Sequence, residues 1–127
     1  MCAVPGMAAG GAFYWINESG IVICSDDTTF FDPHVTSGMT SALQPIGMTE
    51  RLPLGEALRI ALLGIEERMS AERALQIGLV SEVTTRGELW GRADEIARII
   101  AAKPPAAIQG TAQVDRASTP HGIWRLR

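Results

Sequence analysis

A chain of 127 residues, 46% hydrophobic and 20% charged, has the make-up of one globular domain, long enough to bury roughly two thirds of the surface its unfolded form exposes. Its 11 Lys and Arg against 14 Asp and Glu leave a net charge of −3, with no basic stripe and no interleaving of aromatic and basic residues. That balance argues against a nucleic-acid partner and against binding to an anionic lipid surface.

Residues 2–5 read as the end of a strand. The stretch Val4-Pro5-Gly6-Met7-Ala8-Ala9-Gly10-Gly11-Ala12-Phe13 reads as a buried strand that breaks at a small-residue turn directly into a helix over residues 12–19, closed by Gly20. The first turn of a helix carries unpaired N–H donors, and the absence of side chains at Gly10 and Gly11 lets a substrate oxygen approach them. That combination is the physics of an oxyanion hole. The opening Met1-Cys2-Ala3-Val4-Pro5 lacks the basic residues of a signal peptide, and the apolar run stops at Asn17-Glu18, too early to span a bilayer. Cytoplasmic residence with no membrane partner is the resulting expectation.

Ile21 to Ser25 is a continuous run of the kind found in strands covered on both faces, and Thr28 to Phe31 reads as a second short strand ahead of an Asp32-Pro33 turn. The first of these would expose an unpaired edge and two apolar faces unless another chain covered them, so self-association is expected. Cys2 and Cys24 each fall in such apolar runs and read as reduced core residues, too few for a disulfide framework or a zinc cluster. From Ser37 the pattern turns helical, with a break around Pro45-Ile46-Gly47. A clearer helix follows from Glu56 to Leu63, closed by Gly64, with Leu54, Leu58, Ala61 and Leu62 on one face.

Ser70 is a suitable N-cap for a helix over 71–77, with Glu72 in the first turn and Gly78 beyond its end, and Val80 to Val83 reads as an extended return. Glu88 to Ala102 gives the cleanest helical period, with Leu89, Ala93, Ile96, Ala97 and Ile100 opposite Arg92, Asp94, Glu95 and Arg98. Lys103-Pro104-Pro105 stops it and allows a new helix from Pro105. Trp15 and Trp90 read as core or interface anchors. After Gly110 the apolar pattern fades, and residues 112–127 read as an irregular tail. His34 and His121 are far apart and lack supporting Cys or carboxylate spacing, so no metal is expected.

Four stretches taken together, Gly6-Met7-Ala8-Ala9-Gly10-Gly11-Ala12, Ile21-Val22-Ile23-Cys24-Ser25, Thr29-Phe30-Phe31-Asp32-Pro33 and Met69-Ser70-Ala71-Glu72-Arg73-Ala74-Leu75-Gln76-Ile77-Gly78-Leu79-Val80-Ser81-Glu82-Val83, resemble the enoyl-CoA hydratase/isomerase family, the crotonase superfamily. The resemblance runs from about Cys2 to about Gly110 and corresponds to the second half of that family's catalytic domain. It implies an α/β fold of the ββα-spiral type over residues 1–111, in partial form, with few short strands followed by a helical C-terminal region. It also implies a coenzyme A thioester as substrate rather than as a bound cofactor, no other cofactor, and a homo-oligomer, trimeric or hexameric.

The chemistry that the resemblance implies turns the thioester carbonyl into an enolate, held by two backbone N–H groups, one from each half of the domain. The donor in this half falls on Gly11. Hydratases of the family use two glutamates around a water, and counting along the motifs puts Tyr14 and His34 at those positions. Tyrosine, with an ordinary pKa near 10, is a poor base at neutral pH, whereas histidine titrates close to neutrality. The expected catalytic set is therefore Gly11, His34 and Tyr14, with Gly10 and Asp32 at the substrate and Asp32 otherwise a turn-former. Two readings stay open: an acyl-CoA enzyme working by enolate chemistry, and a catalytically inactive fragment or interaction module of the same family.

Overall fold

In the computed structural model, which describes residues 1–118, two short strands joined by a tight corner and followed by a helix form the unit from which the fold is built. Strand β1 (Cys2–Val4) turns at Pro5-Gly6 into β2 (Met7–Ala9), which leads to helix α1 (Ala12–Glu18). Strand β3 (Val22–Ser25) turns at Asp26-Asp27 into β4 (Thr29–Phe31), which leads to α2 (Leu43–Thr49) and α3 (Leu54–Leu63). The chain continues through β5 (Met69–Ser70), α4 (Ala71–Gln76), β6 (Glu82–Thr84), α5 (Leu89–Ala101) and α6 (Pro105–Ser118).

The two corners nest against each other. Gly6 takes a φ of 68°, which a glycine adopts without steric cost, and its carbonyl accepts the Thr29 N–H at 2.8 Å. The buried Thr28 hydroxyl donates to the Val4 carbonyl at 2.8 Å and sits 3.0 Å from the Ser25 hydroxyl. Buried polar groups at a strand corner are costly when left alone, so each corner satisfies the other.

Each unit delivers one strand to each of two three-stranded sheets. The first has the order β1-β3-β6, all parallel, with Val4 opposite Cys24 and Cys24 opposite Val83. The second has the order β2-β4-β5, with β2 parallel to β4 and β5 antiparallel to it. The main core lies between them and the helices, built from Val4, Phe13, Ile16, Phe30, Met48, Ile60, Leu79 and their neighbours. Ile23 turns to the other face of its sheet, where Leu89 and Ala93 of α5 cover it. Cys24 is buried, which pushes its thiol up to about 11 despite a hydrogen bond from Thr28 in the opposite sense.

Several sequence expectations are corrected here. The run Ile21–Ser25 does not present a free edge, because β3 is the central strand of its sheet and is buried throughout. Met7–Ala9 is a strand of its own, without β-branched residues to announce it. Residues 37–42 are not helical, and α2 runs straight through Pro45-Ile46-Gly47. Pro45 is tolerated there because it lies in the first turn, where a backbone N–H has no helical partner to lose. Helix α3 buries Ala57, Ile60 and Ala61 while Leu54, Leu58 and Leu62 face outward, and Trp15 and Trp90 are exposed rather than core residues. The irregular tail expected from residue 112 is helical to Ser118; residues 119–127, with His121 and Trp124, lie outside the described residues. Among the described residues no helix is long and apolar enough to cross a membrane.

Two predictions follow from this packing. Helix α1 crosses α2 so closely that a Cβ at Gly47 would stand 2.7 Å from Asn17 Cγ, so Gly47→Ala should destabilise the chain by about 1–3 kcal/mol in urea unfolding. The outward stripe Leu54, Leu58 and Leu62 is exposed apolar surface of the kind that association covers. Sedimentation velocity should show species larger than a monomer, shifted toward monomer by Leu58→Glu; a monodisperse parent chain would overturn this.

Candidate functional site

The site grows from the end of β2. Gly10 takes a φ of 48°, and its N–H donates to the Phe31 carbonyl at 3.1 Å, tying the end of β2 to the end of β4. The Gly10 carbonyl in turn accepts the Phe13 N–H at 3.0 Å, so the same residue that closes the strand opens the helix. Gly11 is the N-cap of α1 with a φ of −56°, and nothing lies within 4 Å of where its Cβ would be. Its N–H has no acceptor among the described residues. A free donor beside open space is what a developing oxyanion requires.

Opposite this turn stands the segment after β4. A Cβ built on Gly10 would lie 3.3 Å from Pro33 Cδ and 3.5 Å from His34 Cε1, so the imidazole packs directly against the turn that carries the Gly11 N–H. His34 is held from behind by Asp32. One carboxylate oxygen of Asp32 meets His34 Nδ1 and also accepts the His34 backbone N–H at 3.2 Å, and the other accepts the Ser41 hydroxyl. An ionised carboxylate only accepts, so the neutral imidazole carries its proton on Nδ1 and keeps its lone pair on Nε2.

Asp32 is fully buried. Burial works to raise its pKa, but the hydrogen bonds from Ser41 and His34 together outweigh it and hold the carboxyl below the ordinary aspartate value. Two expectations for the substrate side change accordingly. Asp32 has both oxygens engaged by His34 and Ser41 and no exposed surface, so in this structure it faces its own loop and not the open side of the turn. Gly10 has its N–H committed to Phe31, so its contribution is to allow the close approach of Pro33 and His34.

Tyr14 lies one turn along α1 and is 53% exposed, its ring edge-on to Trp15 with 5.7 Å between centroids. It lines a small cleft of about 130 Å³ with Asn17, Leu43 and Gln44, and among the described residues no hydrogen bond joins it to His34. Ser41 was not legible in the sequence. It reaches Asp32 only because the loop folds back, with Met39 N–H on the His34 carbonyl at 2.9 Å and Gly38 at a φ of 74°.

The lowered Asp32 pKa makes stability depend on pH in a defined direction. Above the unfolded value of about 3.9 the ionised, hydrogen-bonded form contributes fully, and the contribution is lost as pH falls from there through the lower folded-state value. Urea unfolding of the parent chain should therefore weaken across that acidic window, and Asp32→Asn should flatten this part of the profile. Gly10→Ala, strained by its positive φ and pressed on Pro33, should lower the unfolding midpoint as well.

Comparison with known proteins places the whole chain in a family. A family model described as enoyl-CoA hydratase/isomerase matches residues 1–123. Carnitinyl-CoA dehydratases from Salmonella agona and Proteus mirabilis are 31% identical over 121 residues, covering 94% of this chain and 45% of each relative. The chain thus spans about half the length of the curated relatives it matches. Among solved structures, an enoyl-CoA hydratase/isomerase from Mycobacterium paratuberculosis superposes with a TM-score of 0.85 at 38% identity, covering 93% of this chain and 48% of that one. A carnitinyl-CoA dehydratase from Mycobacterium avium gives a TM-score of 0.80 at 27% identity over 91% of this chain and 45% of that one.

Proposed function

The chain belongs to the enoyl-CoA hydratase/isomerase family, and from that premise we propose that it acts on an acyl-CoA thioester by stabilising an enolate at the Gly11 N–H while His34 moves the proton. The observation that carries this reading is the contact of the His34 ring with Gly10, which sets an imidazole beside a free backbone donor. With its lone pair on Nε2, His34 can take a proton from the carbon next to the thioester carbonyl. The negative charge then moves onto the carbonyl oxygen, where the Gly11 N–H receives it.

A second backbone donor belongs to the other half of the family's domain and completes the hole there. Tyr14 stands where the family's hydratases place a glutamate and supplies an orienting hydroxyl rather than a base. A single proton-transfer group fits isomerisation or another enolate chemistry, in which His34 takes a proton from one carbon and returns it to another, better than the two-carboxylate activation of water. In this reading the coenzyme A thioester is the substrate, no other cofactor is needed, and the protein works in the cytoplasm as a homo-oligomer, trimeric or hexameric.

The test is calorimetric titration with a short acyl-CoA, run beside deuterium exchange at the α-carbon and a crotonyl-CoA hydration assay. Binding with exchange is expected, and His34→Gln should slow exchange by about 10²–10⁴-fold. Gly11→Pro removes the donor, and because proline also crowds the left-handed Gly10 before it, the urea midpoint of this variant is read beside its activity to separate lost donor from lost fold. Loss of the donor should cost about 3–4 kcal/mol of transition-state stabilisation. Binding without exchange would favour the second reading, an inactive member of the family or an interaction module, which the outward position of Tyr14 supports. Rapid hydration that survives His34→Gln would show the assignment of His34 to be wrong.

A further inference from the structure

We infer that Ser41 is a positioning residue for His34, acting through Asp32 to decide which imidazole nitrogen carries the proton. The inference rests on the reading of His34 as the proton-transfer group and adds a residue that the family motifs do not contain.

An ionised carboxylate with no exposed surface is tolerated only where hydrogen bonds replace the water it has lost. Asp32 distributes its donors unevenly. One oxygen receives His34 twice, from Nδ1 and from the backbone N–H, while the other receives the Ser41 hydroxyl alone among the described residues. Removing Ser41 leaves one buried oxygen of a charged group without a donor. The carboxylate can recover by turning toward other donors or by taking up a proton, and in either case it stops being a fixed acceptor for Nδ1–H. The neutral imidazole then drifts toward the opposite tautomer, with the proton on Nε2 and the lone pair turned away from the substrate side.

The loop around Ser41 is built to keep this contact. Ser37 N–H bonds the Pro33 carbonyl at 3.1 Å and Gly38 N–H the Val35 carbonyl at 3.0 Å, which curls the chain back over Asp32. The Thr36 hydroxyl accepts the Ile65 N–H at 3.2 Å and donates to Glu66 at 3.2 Å, pinning the same loop beyond the end of α3. Ser41 is therefore presented to Asp32 by a braced segment.

The test uses the full chain with ¹⁵N-labelled histidine, reading the tautomer of neutral His34 by NMR, and measures α-proton exchange with a short acyl-CoA on the same samples. Ser41→Ala should shift a large share of His34 from the Nδ1–H to the Nε2–H form and slow exchange about tenfold, as expected for a lost hydrogen bond to a charged group. Ser41→Thr, which keeps the hydroxyl, should restore both. Should the alanine variant not fold, Ser41→Cys, a weaker donor, should give an intermediate shift. An unchanged tautomer in Ser41→Ala, or in Ser41→Cys if that variant stands in for it, overturns the inference. A tautomer shift in a parent chain without exchange activity upholds the role of Ser41 while removing the proposed function.

Discussion

The left-handed turn at Gly10 is the constraint on which the site depends. Any side chain there would meet two costs together, a positive φ and the proline ring 3.3 Å away. Because glycine bears neither, β2 can end against β4, its last N–H can bond the Phe31 carbonyl, and α1 can start within one residue. The consequence for chemistry is spatial. The residue that follows offers a free N–H, and the residue pressing from the other side is His34, three positions past the β4 carbonyl that anchors the turn. The free N–H and the imidazole come together because one backbone hydrogen bond fixes the ends of two neighbouring strands.

A second constraint follows from charge. Asp32 is the one acidic residue among the described core, and its cost is met wholly by local groups, His34 two residues on and Ser41 nine residues on. This makes the loop after β4 less a connection than a shell around a carboxylate. It also gives His34 what an exposed glutamate at the same position would not need, a fixed orientation. A carboxylate offers two equivalent oxygens to a substrate, whereas an imidazole has one lone pair when neutral and must be aimed.

How much of this was legible in the sequence depends on the range of the interaction. Helix α4 carries its own cap at Ser70 and α5 its own periodicity, and their positions follow from residues within one or two turns of each other. The glycine turn and the order of motifs gave the family and the partial ββα spiral. Strands β2 and β5, of three and two residues, have no local signature because pairing with β4 makes them strands. The sequence groups Leu54, Leu58, Ala61 and Leu62 on one face of α3, yet the chain buries Ala61 with Ala57 and Ile60 and turns the leucines outward, because the neighbouring elements decide which side chains fit. Ser41 was invisible for the same reason, because a hydroxyl acquires meaning only when a loop folds it onto a carboxylate.

The exposed side chains connect these points. Tyr14 and Trp15 on α1, Leu43 and Ile46 on α2, and Leu54, Leu58 and Leu62 on α3 form apolar surface on successive helices, while β3 and the corners around Thr28 are sealed. Apolar area of that extent is unfavourable in water and becomes favourable on covering it, at roughly 25 cal/mol per Å². The Asp32 shell is thus closed by local groups, whereas these helical side chains stand open to water. Tyr14 lies one turn from the Gly11 N-cap on the same helix, so whatever covers this surface of α1 also bears on the approach to the Gly11 N–H.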